Sequence, residues 1–420
     1  MTPPSILLVT RYFPPLDSIA SLRMYCWAKY IDRNGWRVSV LTTTKEHQML
    51  TPWKLHTGKF DLTEVRYFDP VLFFGFKKKN RILSGKRNRL EDFYRSRLSE
   101  RMPGRTDPWI VPAIRELKRR KQNGVSYDYV LSSYGPPSAH VVGCYAKTIF
   151  GSKWIADYRD LWLENYICKG LFPFILLESI LEKQIMKHVD LIATVSEPLR
   201  DVLMRKFPAV PVHVIENGFD PELMDGCTGD YFRNQSKKLR ICYTGSLYRK
   251  KIDPGILFRA IRELISEGRI QESEIEVLFF GSYMADLDDM IKSYSLQSVA
   301  RYVGNVSLFD AYRIQRSASA LLFLGESSPH AKGIVTGKLF EYLHCDAPIL
   351  AVGISPDSAA AKIIEETGSG IVCGTEIRVI QNEILNIKKG DVNCERDQEK
   401  IRKYSREHQV DRLIQIMLES

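Results

Sequence analysis

The chain has 420 residues, 44% of them apolar and 26% charged, a balance that fits a globular protein with more than one hydrophobic core. Its net charge is +10, and its longest apolar run, Leu171 to Leu177, falls far short of the roughly 20 residues that span a bilayer. A helical membrane-spanning protein is therefore excluded. The eight cysteines (26, 144, 168, 227, 242, 345, 373 and 394) form no C-x-x-C pair and have no histidine at ligand spacing, so reduced thiols in a cytoplasmic protein are expected. Met1 to Ser5 carries no basic residue, and no signal peptide is expected.

Ile6-Leu7-Leu8-Val9-Thr10 is a continuous apolar run, as in a parallel strand buried on both faces. After Pro14-Pro15 the pattern predicts a helix from about Ser21 to Arg33, closed by Asn34-Gly35, and then a strand from Trp36 to Thr42. Residues 77–105 hold eleven Lys/Arg against three acids, a balance of +8 in one segment. That segment follows the apolar cluster Val71 to Phe76, in which Phe73, Phe74 and Phe76 precede Lys77, Lys78 and Lys79. Aromatics beside a basic run suit docking on an anionic membrane surface. A solvated loop is the plainer alternative, and with no recognised nucleic-acid module a nucleic-acid partner is not expected. Further strands are predicted at 128–133, 153–157, 190–195 and 212–216.

The plan repeats after residue 238. Leu239 to Tyr243 reads as a strand ending in Thr244-Gly245-Ser246, Pro254 opens a helix reaching about Ser266, and Ile275 to Phe280 is the next strand. Strands at 301–306, 319–324, 348–352 and 370–373 complete an α/β chain built from two Rossmann-like halves with parallel sheets. Ligands in such sheets sit beyond the carboxyl ends of the strands, so a site in the cleft between facing domains is expected, with a hinge near 217–225.

Between two of these strands lies Val335-Thr336-Gly337-Lys338-Leu339-Phe340-Glu341, a short helix with an apolar stripe at Leu339, Phe340 and Leu343. Lys338 and Glu341, three residues apart, share the face that points away from that stripe. Helix-start N–H groups near Thr336 suit a phosphate, and a carboxylate one turn later suits a ribose diol. The alternative is an exposed Lys–Glu pair that contributes little.

The segments Trp154-Ile155-Ala156-Asp157-Tyr158-Arg159-Asp160-Leu161-Trp162, Pro136 to His140, Ala193 to Glu197, Val214 to Asp220, Tyr243 to Tyr248 and Gly337 to Leu343 stand in an order that resembles the GT-B glycosyltransferases of family 4, a retaining group. The resemblance implies two Rossmann-like domains, residues 1–220 completed by a C-terminal helix 404–420 for the acceptor, and residues 221–403 for the nucleotide-sugar. It implies donor contacts at Gly245, Ser246, Lys251, Val335, Thr336, Gly337, Lys338 and Glu341, and catalytic candidates Arg159, Asp160, Asp157 and His140. His140 has a structural role as its alternative. Neither a metal nor a cofactor is expected, the nucleotide-sugar being a co-substrate. The implied reaction moves a sugar to a lipid-linked saccharide in surface polysaccharide or lipopolysaccharide assembly, at the inner face of the cytoplasmic membrane. The alternatives are a nucleotide-sugar epimerase or hydrolase on the same fold, and a degenerate binding subunit. The last is suggested by Gly333, which stands where the family's first motif glutamate would fall.

Overall fold

The computed structural model describes residues 2–16, 18–44, 60–69, 97, 101–104, 106–164, 168–233, 238–247, 252–282, 286–326, 332–333, 335–392 and 394–420. Lys251 and the cluster Phe73, Phe74, Phe76, Lys77, Lys78 and Lys79 lie outside these residues. The chain divides into two compact units, 1–216 with 410–420, and 217–409.

The first unit runs β1 (Ser5–Val9), α1 (Ile19–Arg33), β2 (Arg37–Thr43), β3 (Asp61–Val65), α2 (Ile110–Gln122), β4 (Tyr129–Ser133), α3 (Ser138–Phe150), β5 (Lys153–Tyr158), α4 (Phe174–Met186), β6 (Leu191–Thr194), α5 (Glu197–Lys206) and β7 (Val212–Val214). Among the described residues its seven strands are ordered β3-β2-β1-β4-β5-β6-β7, and all of them pair in parallel. Every residue of β1 is buried, as its unbroken apolar run requires of a central strand covered on both faces. Ser18 caps α1, its hydroxyl accepting from Ser21 N at 3.0 Å. β3 was not expected from the sequence. It is an edge strand, Asp-Leu-Thr-Glu-Val, with no residue fully buried, so it lacks the apolar pattern that marks its neighbours.

The second unit runs α6 (Pro221–Asp225), β8 (Leu239–Thr244), α7 (Gly255–Ser266), β9 (Ile275–Phe280), α8 (Leu287–Ser293), β10 (Ala300–Gly304), α9 (Leu308–Ser317), β11 (Ala320–Leu324), α10 (Gly337–Leu343), β12 (Ile349–Val352), α11 (Ala359–Glu366), β13 (Gly370–Gly374), α12 (Ile377–Lys389) and α13 (Gln398–Arg402). A last helix, α14 (Arg406–Glu419), begins in this unit, and its residues from 410 onward belong to the first. The second sheet, six strands among the described residues, is ordered β10-β9-β8-β11-β12-β13 and is again all parallel. In each sheet the order reverses beside the first strand, between β1 and β4 and between β8 and β11. This is where a doubly wound sheet opens a crevice at its carboxyl edge. No helix among the described residues is long and apolar enough to cross a membrane.

Candidate functional site

The switch point of the second sheet gathers most of the donor-contact residues that the sequence singled out. β8 ends at Thr244 and turns at Gly245, whose φ of +130° is a conformation open to glycine and strained for other residues. A Cβ on Gly245 would lie 3.0 Å from Lys338 Nζ and 3.1 Å from its Cε. Glycine at 245 thus gives Lys338 its place, and the side chain, starting from α10, crosses to the end of β8. There the ammonium donates to the Tyr243 hydroxyl and lies 3.7 Å from the centroid of that ring. Tyr243 in turn donates to the Ser246 carbonyl at 2.9 Å. Burial, opposed by the charge of Glu341, pushes the Lys338 ammonium down to about 7.

Glu341 accepts from Gln315 Nε2 at 2.9 Å, and the same amide donates to Thr244 Oγ1 at 2.8 Å. Tyr342 completes the set, its hydroxyl accepting from Thr244 N at 3.0 Å. Burial pushes the Glu341 carboxyl up, while the Gln315 hydrogen bond and the charges of Lys338 and Arg406 act against it. The exposed Lys–Glu pair considered from the sequence is not what forms. Each residue is partly buried, and each has its own neutral partner, Tyr243 for Lys338 and Gln315 for Glu341. Two polar atoms remain buried without a protein partner, Thr336 Oγ1 at the start of α10 and Gln315 Oε1. Val335 packs against the apolar cluster under α10, Gly337 is buried, and Ser246 bonds Ser282 through their hydroxyls at 3.1 Å. The arrangement offers a cation, a hydroxyl and a carboxylate in series, the complement of a diphosphate joined to a ribose.

Gln315, Thr244, Tyr243 and Tyr342 are the members that sequence reasoning missed. Thr244 stands at a predicted strand end, which was a usable signal. Gln315 comes from α9, a helix distant in sequence, and nothing in its local pattern marks it.

In the first unit the candidates divide. Asp157 is fully buried in an ion pair with Arg23 (2.9 Å), itself fully buried and donating to the carbonyls of Ile215 and Glu216. Ser133 Oγ donates to Asp157 Oδ2 at 2.7 Å and accepts from Arg159 Nε at 3.1 Å. Arg159 also donates to the Tyr134 carbonyl and lies 5.3 Å from the centroid of the Tyr12 ring. Asp157 therefore orients Arg159 through Ser133, and Arg159 is the partly exposed member of the chain. Asp160, next to it, is exposed. His140 is no member of that hydrogen-bonded chain: it is fully buried with Nδ1 2.8 Å from Ser132 Oγ and its ring 4.8 Å from that of Tyr158. Burial pushes it down to about 3, so it is neutral at physiological pH and packs as a core histidine.

A separate cavity of about 550 Å3 in the first unit is lined by Asp32, Trp36, Arg37 and Asp61, toward the amino ends of β1 and β2. That is the edge opposite the one where doubly wound sheets bind ligands. Among the described residues no group of three His, Cys, Asp or Glu side chains is placed to hold a metal ion.

Residues 21–223 match the family model described as Glycosyltransferase Family 4. Solved structures resemble the whole chain. The sucrose-phosphate synthase of Thermosynechococcus elongatus superposes with a TM-score of 0.65 at 12% identity, over 99% of this chain and 98% of that one. Anabaena HepE in complex with UDP gives 0.62 at 12%, over 99% and 100%. The apo form of the lipopolysaccharide outer core galactosyltransferase WaaB gives 0.55 at 9%, over 98% and 99%. No curated protein matches the sequence. At these identities the structural likenesses establish the fold, which is GT-B.

Proposed function

We propose that this chain, a glycosyltransferase of the GT-B fold and the family 4 type, moves a sugar from a nucleotide-sugar to a lipid-linked saccharide in surface polysaccharide or lipopolysaccharide assembly, with retention at the anomeric carbon. The observation that carries the donor half is the trio Thr336, Lys338 and Glu341 at the switch point of the second sheet. HepE, with the same fold, was solved with UDP-glucose, and WaaB is a lipopolysaccharide galactosyltransferase. The basic, aromatic 71–105 segment supports an acceptor held at an anionic membrane surface, on the cytoplasmic side.

In this reading the acceptor oxygen bonds to the anomeric carbon as the glycosyl–phosphate bond breaks. The electron pair leaves on the diphosphate, which takes up the acceptor's proton. Negative charge grows on the diphosphate oxygens, and a cation already in place stabilises it most where water is scarce. Lys338 supplies that cation, joined by the Thr336 hydroxyl, and the family resemblance gives Lys251 the same task. Glu341, held by Gln315, accepts from the ribose hydroxyls. Arg159, steadied through Ser133 by Asp157, serves the transferred sugar, with Asp160 beside it.

Isothermal titration with UDP-, GDP-, dTDP- and ADP-sugars tests the donor half. One nucleotide class should bind the native protein and lose most of its affinity in Lys338→Met. If no nucleotide binds, the assignment of the second unit fails.

A further inference from the structure

Helix α4 is inverted over much of its length. Its two glutamates face inward: Glu178 is 2% exposed and Glu182 is fully buried. Glu178 accepts from Arg101 Nε and Trp162 Nε1, each at 2.8 Å, and Glu182 accepts from the Tyr158 hydroxyl at 3.1 Å and pairs with Lys206 at 2.7 Å. Ile185 and Met186 are buried on the same side, but three large apolar side chains face outward: Leu176 is 57% exposed, Leu177 60% and Ile180 55%, and Phe172 just before the helix is 74% exposed. At about 100° per residue these side chains fall on one stripe, which Lys183 and Lys187 continue at its far end. Both lysines are exposed, as is Lys169 ahead of the helix. Exposed Arg97, from the basic segment, donates to the Gly170 carbonyl at 3.3 Å beside that entry.

An ordinary surface helix turns this pattern the other way, because exposing leucines and burying carboxylates both oppose folding. The inversion is stabilising overall when the outward face leaves water. We infer that this face of α4, Phe172, Leu176, Leu177 and Ile180 with Lys169, Lys183 and Lys187, seats the protein on an anionic phospholipid surface. The apolar half enters the acyl boundary and the lysines meet lipid phosphates. The charge of the rim chooses this occupant, since the lysines continue the apolar stripe while the acids of the helix are turned away from it. The inference rests on the proposed membrane-bound acceptor and is argued from residues other than the 71–79 cluster.

The test is sedimentation of the full chain with vesicles of phosphatidylcholine, with and without phosphatidylglycerol at about one part in four. The native protein should pellet with the anionic vesicles. The variant Leu176→Ser/Leu177→Ser/Ile180→Ser, whose changes fall on exposed positions, should bind them at least about tenfold more weakly while melting normally. Lys183→Glu/Lys187→Glu should lose a similar factor on anionic vesicles and little on neutral ones. Nucleotide titration on the same variants should be unchanged, so that a failure to dock is told apart from a failure of the donor site. The inference is overturned if the native protein stays in solution or if the serine variant pellets as well as the native chain. It is also overturned if the native chain forms a dimer that the serine variant breaks, which would assign the face to a second copy.

Discussion

Replacing Glu341 should weaken nucleotide binding strongly while leaving the free protein no less stable, a combination that a merely structural glutamate would not give. Among the described residues the carboxylate has one hydrogen-bond partner, Gln315 Nε2 at 2.9 Å, an amide that also donates to Thr244 Oγ1 at 2.8 Å and can keep that bond when Glu341 is removed. Burial raises the Glu341 pKa above its ordinary value. A folded-state value above the unfolded one means that the fold disfavours the charged form. The cost appears as pH rises through the ordinary glutamate range and persists at pH 7, so Glu341→Gln should unfold at the same temperature or higher. Binding is another matter. Hydrogen bonds from two ribose hydroxyls to a carboxylate contribute about 1.5–3 kcal/mol each, and losing most of that weakens affinity on the order of 100-fold. Nucleotide at about 100 times its dissociation constant stabilises by about 2.7 kcal/mol, or roughly 5–10 °C for a unit of this size. Glu341→Ala at the same concentration would sit near its own dissociation constant and shift by about 1 °C. Thermal scans with and without nucleotide read both effects. A variant that melts well below the native protein and still shows the full nucleotide shift would refute the reasoning.

Gly245→Ala places a Cβ against Lys338 Nζ at a φ of +130°, so it should lower the melting temperature by the equivalent of about 1–3 kcal/mol and reduce nucleotide affinity, checked by melting and titration together. Lys338, at about 7 in the free protein, should regain its proton when a diphosphate arrives. Nucleotide affinity should then fall as pH rises above about 7, by up to about tenfold per unit, with proton uptake visible as a buffer-dependent heat; Lys338→Met should remove that dependence. Arg23→Leu leaves Asp157 as an uncompensated buried charge and should cost about 3–5 kcal/mol in denaturant unfolding, whereas Arg23→Leu/Asp157→Asn should recover much of it.

The sheets were legible because buried parallel strands announce themselves by apolar runs, such as Ile6 to Val9 and Val277 to Phe280. β3 was not legible, since an edge strand needs little burial. The sequence placed Lys338 and Glu341 on one face of a helix. Their environment depends on Tyr243 and Gln315, which reach them from β8 and α9, and a local pattern carries no such tertiary information. Asp157 and His140 are candidates through the family resemblance, with a structural role as the alternative for His140, and the fold encloses both, which their local sequence does not mark. α4 shows the same limit from the other side. Its glutamates look like solvent-facing residues until Arg101, Trp162, Tyr158 and Lys206 are seen around them.

The central claim is sugar transfer, and its most direct measurement is release of nucleoside diphosphate from the bound nucleotide-sugar, with and without lipid-linked saccharide acceptors. Release that requires the acceptor, matched by sugar gained on the lipid and lost in Lys338→Met, is the predicted result. Release at the same rate without acceptor would contradict transfer and make the chain a hydrolase or epimerase. Binding with no release under either condition would make it a subunit that holds the donor without using it.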